Sequence, residues 1–316
     1  MAAQTQATVA KLKVQDRSTG VGQSLTRLAL RRLRRDNLTL IALFIVILLA
    51  FMSFIGAPII DNVLNVSMTD THLDRTFAPL FSTGVNRDGT VSTNVLGTDD
   101  LGRDHFSRLL YAGRISLSVG FCAAMIALGI GVALGITTGY YGGIVDDITN
   151  WIIATLTSIP ALFLLLIVAA VLPSAGPVTL ILVLGFLGWT GTTRLVRGET
   201  LALREREYVI SARAVGASPG RIMFTHILPN LFSIIVITLA IDIGGLILAE
   251  AALSYLGLGI KPPDASWGNM LTGAQGFFNK GIHLVIFPGL LIFITVLCLY
   301  LIGDGLRDAF DPTAKN

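Results

Sequence analysis

The sequence predicts an all-α fold: a polytopic membrane helix bundle with six transmembrane helices. Three observations predict it. Of 316 residues, 53% are hydrophobic and only 14% are charged, against roughly 25% charged in soluble domains. Mean hydropathy is +0.73. Apolar runs of about 20 residues, the length needed to cross the hydrocarbon core, recur along the chain between short polar breaks. The two cysteines, Cys122 and Cys298, both fall in apolar runs. They read as small buried hydrophobes, with neither a disulfide framework nor metal spacing.

Residues 1–37 form a polar tail. The first twenty are rich in Ala, Gln, Thr and Ser and read as disordered. Leu25, Leu28 and Leu33 then recur at roughly helical spacing among Arg27, Arg31, Arg32, Arg34 and Arg35. This is either an amphipathic helix on anionic headgroups or a stop-transfer charge cluster, and both readings put this end in the cytoplasm. No cleavable signal peptide is read, because the first apolar run starts near Leu38, too late and too long for one.

The first span is 38–59, closed by Pro58. Residues 60–114 are an external loop and an interfacial helix. The loop is acidic, with Asp61, Asp70, Asp74, Asp99, Asp100 and Asp104. Phe106, Leu109, Leu110 and Tyr111 give its last part an apolar side, while the nearby acids offset Arg103, Arg108 and Arg114. Residues 115–304 hold the other five spans. In the second, 115–138, Ala127, Gly131, Gly135 and Gly139 recur every four residues on one face and allow close helix approach. The short turn that follows has Asp146 and Asp147 but no Lys or Arg. The third span, 148–172, contains Pro160, a kink site. The fourth, 178–195, contains Trp189.

Residues 205–230 are too polar for hydrocarbon. Glu205 to Val215 favours a helix, Gly216 suits a left-handed C-terminal cap, Ser218 an N-cap and Pro219 the first helical position. The second short helix should end near Leu228, before Pro229, with Asn230 capping the next span. The result is a rigid helix-turn-helix held outside the bilayer.

The fifth span, 231–256, carries Asp242 and Glu250. By helical rise Asp242 lies about 18 Å from its start and Glu250 about 30 Å, and eight residues turn the face by only about 80°, so both can face one cavity. Charge there is expensive. Either these acids line a conduit and favour a cationic group, or they hydrogen-bond to neighbouring helices. In the outer loop 257–281, Trp267 suits the headgroup level. The sixth span, 282–302, is interrupted by Pro288, and 305–316 is a polar cytoplasmic end.

Several of these stretches resemble one family. The cytoplasmic loop of ABC importer permeases has Glu-Ala-Ala, three residues, Gly, nine residues, then Ile-x-Leu-Pro. Here the small pair is Ser211 and Ala212, the glycine Gly216, and the end Leu228-Pro229. Two positions depart: Ile210 stands for the Glu and His226 for the Ile. The run Y-V-I-S-A-R-A-V-G-A-S with H-I-L-P-N looks most like the dipeptide/oligopeptide (nickel) branch, second permease type. G-T-D-D-L-G-R-D near Asp99, P-P-D-A-S-W-G-N-M-L at Trp267, and the C-terminal G-D-G-L-R-D-A-F-D-P resemble the same branch, so the likeness spans about 96–312.

The resemblance implies a type I ABC importer transmembrane domain that moves di- or oligopeptides, with nickel-chelate or another small solute as the alternative. A different class, a scaffold that recruits an ATPase without moving solute, also stays open. It implies a coupling loop at 199–230, in which Glu207, Ser211, Ala212, Arg213, Gly216 and Arg221 meet an ATPase. Asp242 and Glu250 become translocation-path candidates, suited to a peptide amine. Implied partners are a second permease, two ATP-binding subunits carrying ATP and Mg, an external solute-binding protein and the bilayer; no nucleic acid is expected. The segment around Phe106 is then either a docking surface for the external protein or an anchor for the next span. The chain has no G-x-x-x-x-G-K-[ST] phosphate loop, and His72, His105, His226 and His283 are scattered without ligand spacing. It is therefore expected to be a non-catalytic subunit, with no directly bound cofactor or metal. The expected location is the cell membrane, with both termini cytoplasmic.

Overall fold

The computed structural model describes residues 25–86, 89–172 and 176–310. The expectations for the N-terminal twenty residues, for part of the turn after the third span and for the last six residues lie outside these. In chain order the helices are α1 Leu25–Leu33, α2 Asn37–Leu64, α3 His105–Tyr141, α4 Gly143–Thr157, α5 Ala161–Val171, α6 Pro177–Leu187, α7 Trp189–Arg204, α8 Glu207–Ala214, α9 Pro219–Tyr255 and α10 His283–Phe310. Among the described residues five helical stretches are long and apolar enough to cross a membrane, α6 and α7 together forming one of them. The pair α4 and α5 makes six if counted as one span, bent by 85° at the break. Pro160 thus breaks the third span outright. It is the N-cap of α5 at φ −54°, ψ 130°, outside the helical region.

The core is built around α3, which packs against α2, α6, α7 and α9. Its small-residue stripe sets the closest of these contacts. A Cβ placed on Gly131 would lie 2.6 Å from Thr192 Cβ, one on Gly135 2.7 Å from Val196 Cβ, and one on Gly139 2.6 Å from Thr200 Cβ. All three partners are on α7, so the stripe is a groove that seats α7. Gly135→Leu is therefore expected to force the two helices apart and to cost about 1–3 kcal/mol. A lower unfolding temperature of the purified protein checks this; an unchanged one would mean that α7 is not held in the groove.

Several sequence expectations change. The first span does not close at Pro58. A π-helical stretch, Met52–Gly56, shifts the register, and Pro58 falls in the first turn of the helical segment that follows, where no N–H is needed. The helix ends at Asn65, in left-handed conformation at φ 51°. The π stretch leaves carbonyls that Arg114 of α3 satisfies. Its Nε donates to Ser53 O at 2.7 Å and its Nη2 to Phe54 O at 3.1 Å. The interfacial helix is not separate: α3 is continuous from His105, and Leu109 and Leu110 are buried. Trp267 is buried as well, because its Nε1 reaches Leu109 O at 3.0 Å and the indole fills a cluster with Ala112, Ala251 and Ile292. Cys122 is exposed on α3, whereas Cys298 is buried. Pro288 lies inside α10 near its start and does not interrupt it.

The outer segment contains a small antiparallel hairpin, β1 Ser82–Val85 with β2 Val91–Asn94, in the register Ser82↔Asn94 to Val85↔Val91. Arg75 clamps it, donating to Ser92 Oγ at 2.9 Å and Val85 O at 3.0 Å. The acidic motif folds around Asp99. Its Oδ1 accepts from the N–H groups of Leu101 and Arg103, and its Oδ2 takes Arg103 Nε at 2.8 Å and Arg108 Nε at 3.3 Å.

Asp104 caps α3, its Oδ1 accepting from Ser107 N at 2.6 Å, while its buried Oδ2 has no partner. Burial pushes its carboxyl up to about 6, with the neighbouring charges of Asp61 and Asp99 adding to the effect. Hydrogen bonds from Ser107 and Phe106 act the other way. A carboxyl raised on folding binds its proton more tightly in the folded chain. Its contribution is greatest below about pH 4 and is lost as the pH rises through about 6. Asp104→Asn keeps a capping oxygen without the charge. The variant is expected to be more stable at pH 7.5 by on the order of 1–2 kcal/mol, with the gain absent at pH 4. Thermal unfolding at the two pH values decides it; a gain of equal size at both would show that charge is not the cause.

Candidate functional site

The polar elbow is α8, a four-residue corner, and the first turns of α9. Glu207 opens α8, whose last helical residue is Ala214. The corner closes by two backbone bonds: Gly216 N–H to Arg213 O at 3.0 Å, and Ala217 N–H to Ala212 O at 3.0 Å. This is the paired cap that needs a left-handed residue at its centre, and Gly216 has φ +86°. Ser218 then caps α9, its Oγ accepting from Arg221 N at 3.4 Å, with Pro219 in the first turn. These local features are those that the spacing predicts.

The expected break at Pro229 is absent. The chain passes through a π stretch, Ile222–Ile227, and a tight 3-10 turn, Leu228–Leu231, straight into the span. Wider and narrower turns absorb the missing proline donor, and Asn230 Nδ2 donates backwards to His226 O rather than capping a new helix. The second arm of the elbow and the span are one rod.

The elbow is rooted by apolar packing. Val209, Ile222, Ile227 and Leu231 are buried with Ile136 of α3 and Val196 of α7. Polar clamps surround this root. Arg204 Nη1 donates to Gly139 O at 3.1 Å, closing the end of α3. Arg197 forks onto Asp146, its Nη2 to Oδ2 distance being 2.5 Å. That ion pair, 51 residues apart, explains the acidic turn that lacks a local base. The Arg213 guanidinium lies 5.6 Å from the centre of the Tyr140 ring, so this candidate contact residue also holds the elbow to α3.

The elbow leaves bulky apolar side chains open among its exposed polar ones. Val215 is 86% exposed, Phe224 72% and Ile210 49%. Ser211, Arg213, Gly216 and Arg221 are exposed, as is Glu207, while Ala212 is half-buried. The structure thus brings the six candidate coupling residues onto one protrusion. The apolar residues Ile210 and Val215 are the part that sequence reasoning missed. Their signal was available: two bulky apolar residues in a stretch otherwise read as polar.

Asp242 and Glu250 do not share a cavity wall. Asp242 is half-buried and accepts from Thr192 Oγ1 of α7 at 3.0 Å. Glu250 is 0% exposed. It accepts from Ser116 Oγ at 3.0 Å and Ser254 Oγ at 2.7 Å. Each hydroxyl accepts in turn from the outer loop: Trp267 N to Ser116 Oγ at 3.1 Å, and Ile260 N to Ser254 Oγ at 3.0 Å. Glu250 is therefore the anchor of loop 257–281 and presents no surface to a path within this chain.

Comparison with known proteins agrees with this architecture. Residues 131–316 match the family described as binding-protein-dependent transport system inner membrane component. Residues 24–75 match the N-terminal TM domain of oligopeptide transport permease C. The oligopeptide transport system permease protein OppC of Bacillus subtilis is 35% identical over 305 residues, covering 93% of this chain and 91% of its own. The dipeptide transport system permease protein DppC of the same organism is 38% identical over 296 residues, covering 93% and 87%. The glutathione transport system permease protein GsiD of Pectobacterium atrosepticum is 42% identical over 229 residues, covering 72% and 76%. A family match over more than half the chain and relatives aligned almost end to end leave one conclusion: the chain belongs to the inner membrane components of binding-protein-dependent transport systems, the non-catalytic, multi-pass membrane subunits of type I ABC importers.

Proposed function

We propose that this chain is one of two permease subunits of an ATP-driven importer of di- or oligopeptides. The observation that carries the mechanism is the elbow: an exposed tip bearing Ile210 and Val215 among polar side chains, on a root packed into α3 and α7. Such a tip suits docking: large apolar side chains left open on a rooted polar protrusion gain by being covered. Its partner is an ATP-binding subunit, which supplies ATP and Mg. Closure of two such subunits pushes the elbow, the α3–α7 groove carries the push as a rigid body, and the bundle opens alternately to each side. The elbow and both termini then face the cytoplasm, and an external solute-binding protein delivers the solute to the opposite face. The relatives' names favour peptides over a nickel chelate.

ATP-dependent uptake of a labelled dipeptide by vesicles holding the chain, its second permease and its ATP-binding subunits tests this. Uptake without ATP, or of metal chelate alone, would overturn it. Asp242 is the remaining path candidate, because it keeps some exposure beside the α3–α7 groove. Asp242→Asn should raise the KM for a peptide with a free amine severalfold and leave an amine-blocked peptide unaffected. Identical changes for both peptides would assign Asp242 to the Thr192 contact alone.

A further inference from the structure

Helix α4 is shallowly embedded in the bundle. Of its 15 residues only Thr149 and Ile153 are buried, whereas Ile144, Val145, Ile148, Trp151 and Ile152 are exposed. It packs against α3, and its polar ties come from α7. Arg197 forks onto Asp146 in the first turn of α4, its Nε on Oδ1 and its Nη2 on Oδ2 at 2.5 Å. Asn150 Nδ2 donates to the same Oδ1 at 2.7 Å and to Asp146 O at 2.8 Å, which fixes the carboxylate to its own helix. At the other end of α4, Arg194 Nη2 donates to Thr157 Oγ1 at 2.9 Å. The two arginines are three residues apart on α7, about 4.5 Å along its axis, whereas their partners are eleven residues apart on α4, about 16 Å. One short stretch of α7 therefore holds both ends of α4. A two-pronged charged contact fixes orientation as well as distance, so α4 follows α7 in rotation and in translation. Helix α7 in turn lies in the α3 groove and leads into the elbow at Glu207.

Beyond Thr157 this constraint ends. Residues 158–160 belong to neither helix, and the chain turns there by 85°. Beside the break lies a cavity of about 330 Å³, lined by Leu156, Pro160 and Leu164 of the bent pair and by Leu187, Leu246 and Ala249 of α6 and α9. Packed interiors resist such shifts; the cavity leaves α5 room to turn about Pro160.

We infer that Arg197 and Arg194 are positioning residues of the transport cycle: through Asp146 and Thr157 they make α4 move with α7 and the elbow, while α5 turns at Pro160. The elbow thereby steers the broken third span. The tie between α7 and α4 stands apart from the transport reading; its use in coupling rests on that reading.

The test uses the full-length chain in its transporter complex and a charge swap: Asp146→Arg, Arg197→Asp, and the two together, which restores an ion pair in reverse. The first measurement is hydrogen exchange in lipid nanodiscs without ATP. In each single variant the amides of 143–157 should lose protection at least tenfold while those of the α3–α7 groove change little, and the double variant should regain most of it. Arg194→Gln, an exposed change outside the fork, should loosen only the last turn of α4. Unchanged α4 exchange in the single variants, or no recovery in the double, overturns the tie. The second measurement is the number of ATP molecules hydrolysed per labelled dipeptide taken up by reconstituted vesicles. Each single variant should lose at least tenfold in uptake with hydrolysis within twofold of the original, and the swap should restore the ratio. A merely structural role lowers uptake and hydrolysis together, and that result overturns the positioning role, as does a swap that leaves the ratio impaired. An unaltered complex without ATP-driven uptake overturns the coupling use along with the transport reading, whereas the tie is decided by the exchange measurement, so the two failures are distinguishable.

Discussion

Gly216→Asp is expected to reduce ATP-driven uptake by more than a hundredfold while the protein still inserts and folds. The reason lies in two separate effects. A Cβ at Gly216 meets nothing within 4 Å, so the substitution creates no clash in the chain itself. Its backbone cost is the left-handed φ of +86°, about 1–2 kcal/mol for an ordinary residue and less for Asp or Asn. That is too little to unfold a bundle whose elbow is rooted by Val209, Ile222, Ile227 and Leu231. The larger effect falls on docking. The new carboxylate projects from the exposed tip beside Val215, into the proposed docking contact, where an unpaired buried charge is far costlier than a bent corner. Gly216→Asn pays the same backbone cost without the charge, and should keep a substantial part of the uptake. Two measurements decide it: uptake, and co-purification of the ATP-binding subunit. Normal ATP-coupled uptake by Gly216→Asp would remove the elbow from the coupling path.

Glu250→Ala is expected to be the most destabilising single change in the fifth span, by about 2–5 kcal/mol. It removes the acceptor of two buried hydroxyls, Ser116 and Ser254, and each orphaned buried group costs about 1–3 kcal/mol. Those hydroxyls also hold the N–H groups of Trp267 and Ile260, so the loss spreads into loop 257–281. Hydrogen exchange localises the effect. Amides of 257–281 should lose protection by at least tenfold while those of the α3–α7 groove change little, and Glu250→Gln should fall between, since an amide keeps one acceptor. Unaltered loop protection in Glu250→Ala would mean that the loop is held by Trp267 packing alone.

What could be read from the sequence was local. Gly216, Ser218 and Pro219 carry their instructions within a few residues, and the corner they form follows them. The four-residue stripe from Ala127 to Gly139 likewise announced a groove. Its occupant, α7, was not legible, because nothing in Thr192, Val196 and Thr200 points to α3. Long-range polar pairs were invisible for the same reason. Asp146 finds Arg197, Arg114 finds Ser53, and Glu250 finds Ser116 at a distance of 134 residues. Glu250 read as a path candidate because burial and pairing cannot be seen from one helix. Proline rules misled at Pro58 and Pro229, where π turns adjust the helix around the missing donor. Packing of Ile222, Ile227 and Leu231 outweighs that local preference.

The unbroken run Pro219–Tyr255 has 37 residues, or roughly 55 Å at helical rise. One end is the elbow proposed to dock the ATP-binding subunit; the other ends at Glu250 and the buried tryptophan loop. Ligands at its two ends are coupled to the extent that each binds one position of the rod better than another. If a receptor outside and an ATP-binding subunit inside each favour one of two positions of this rod, the coupling free energy that either adds to the other's binding is the same in both directions. Such a rod would report occupancy at one end to the other with no diffusible messenger between them.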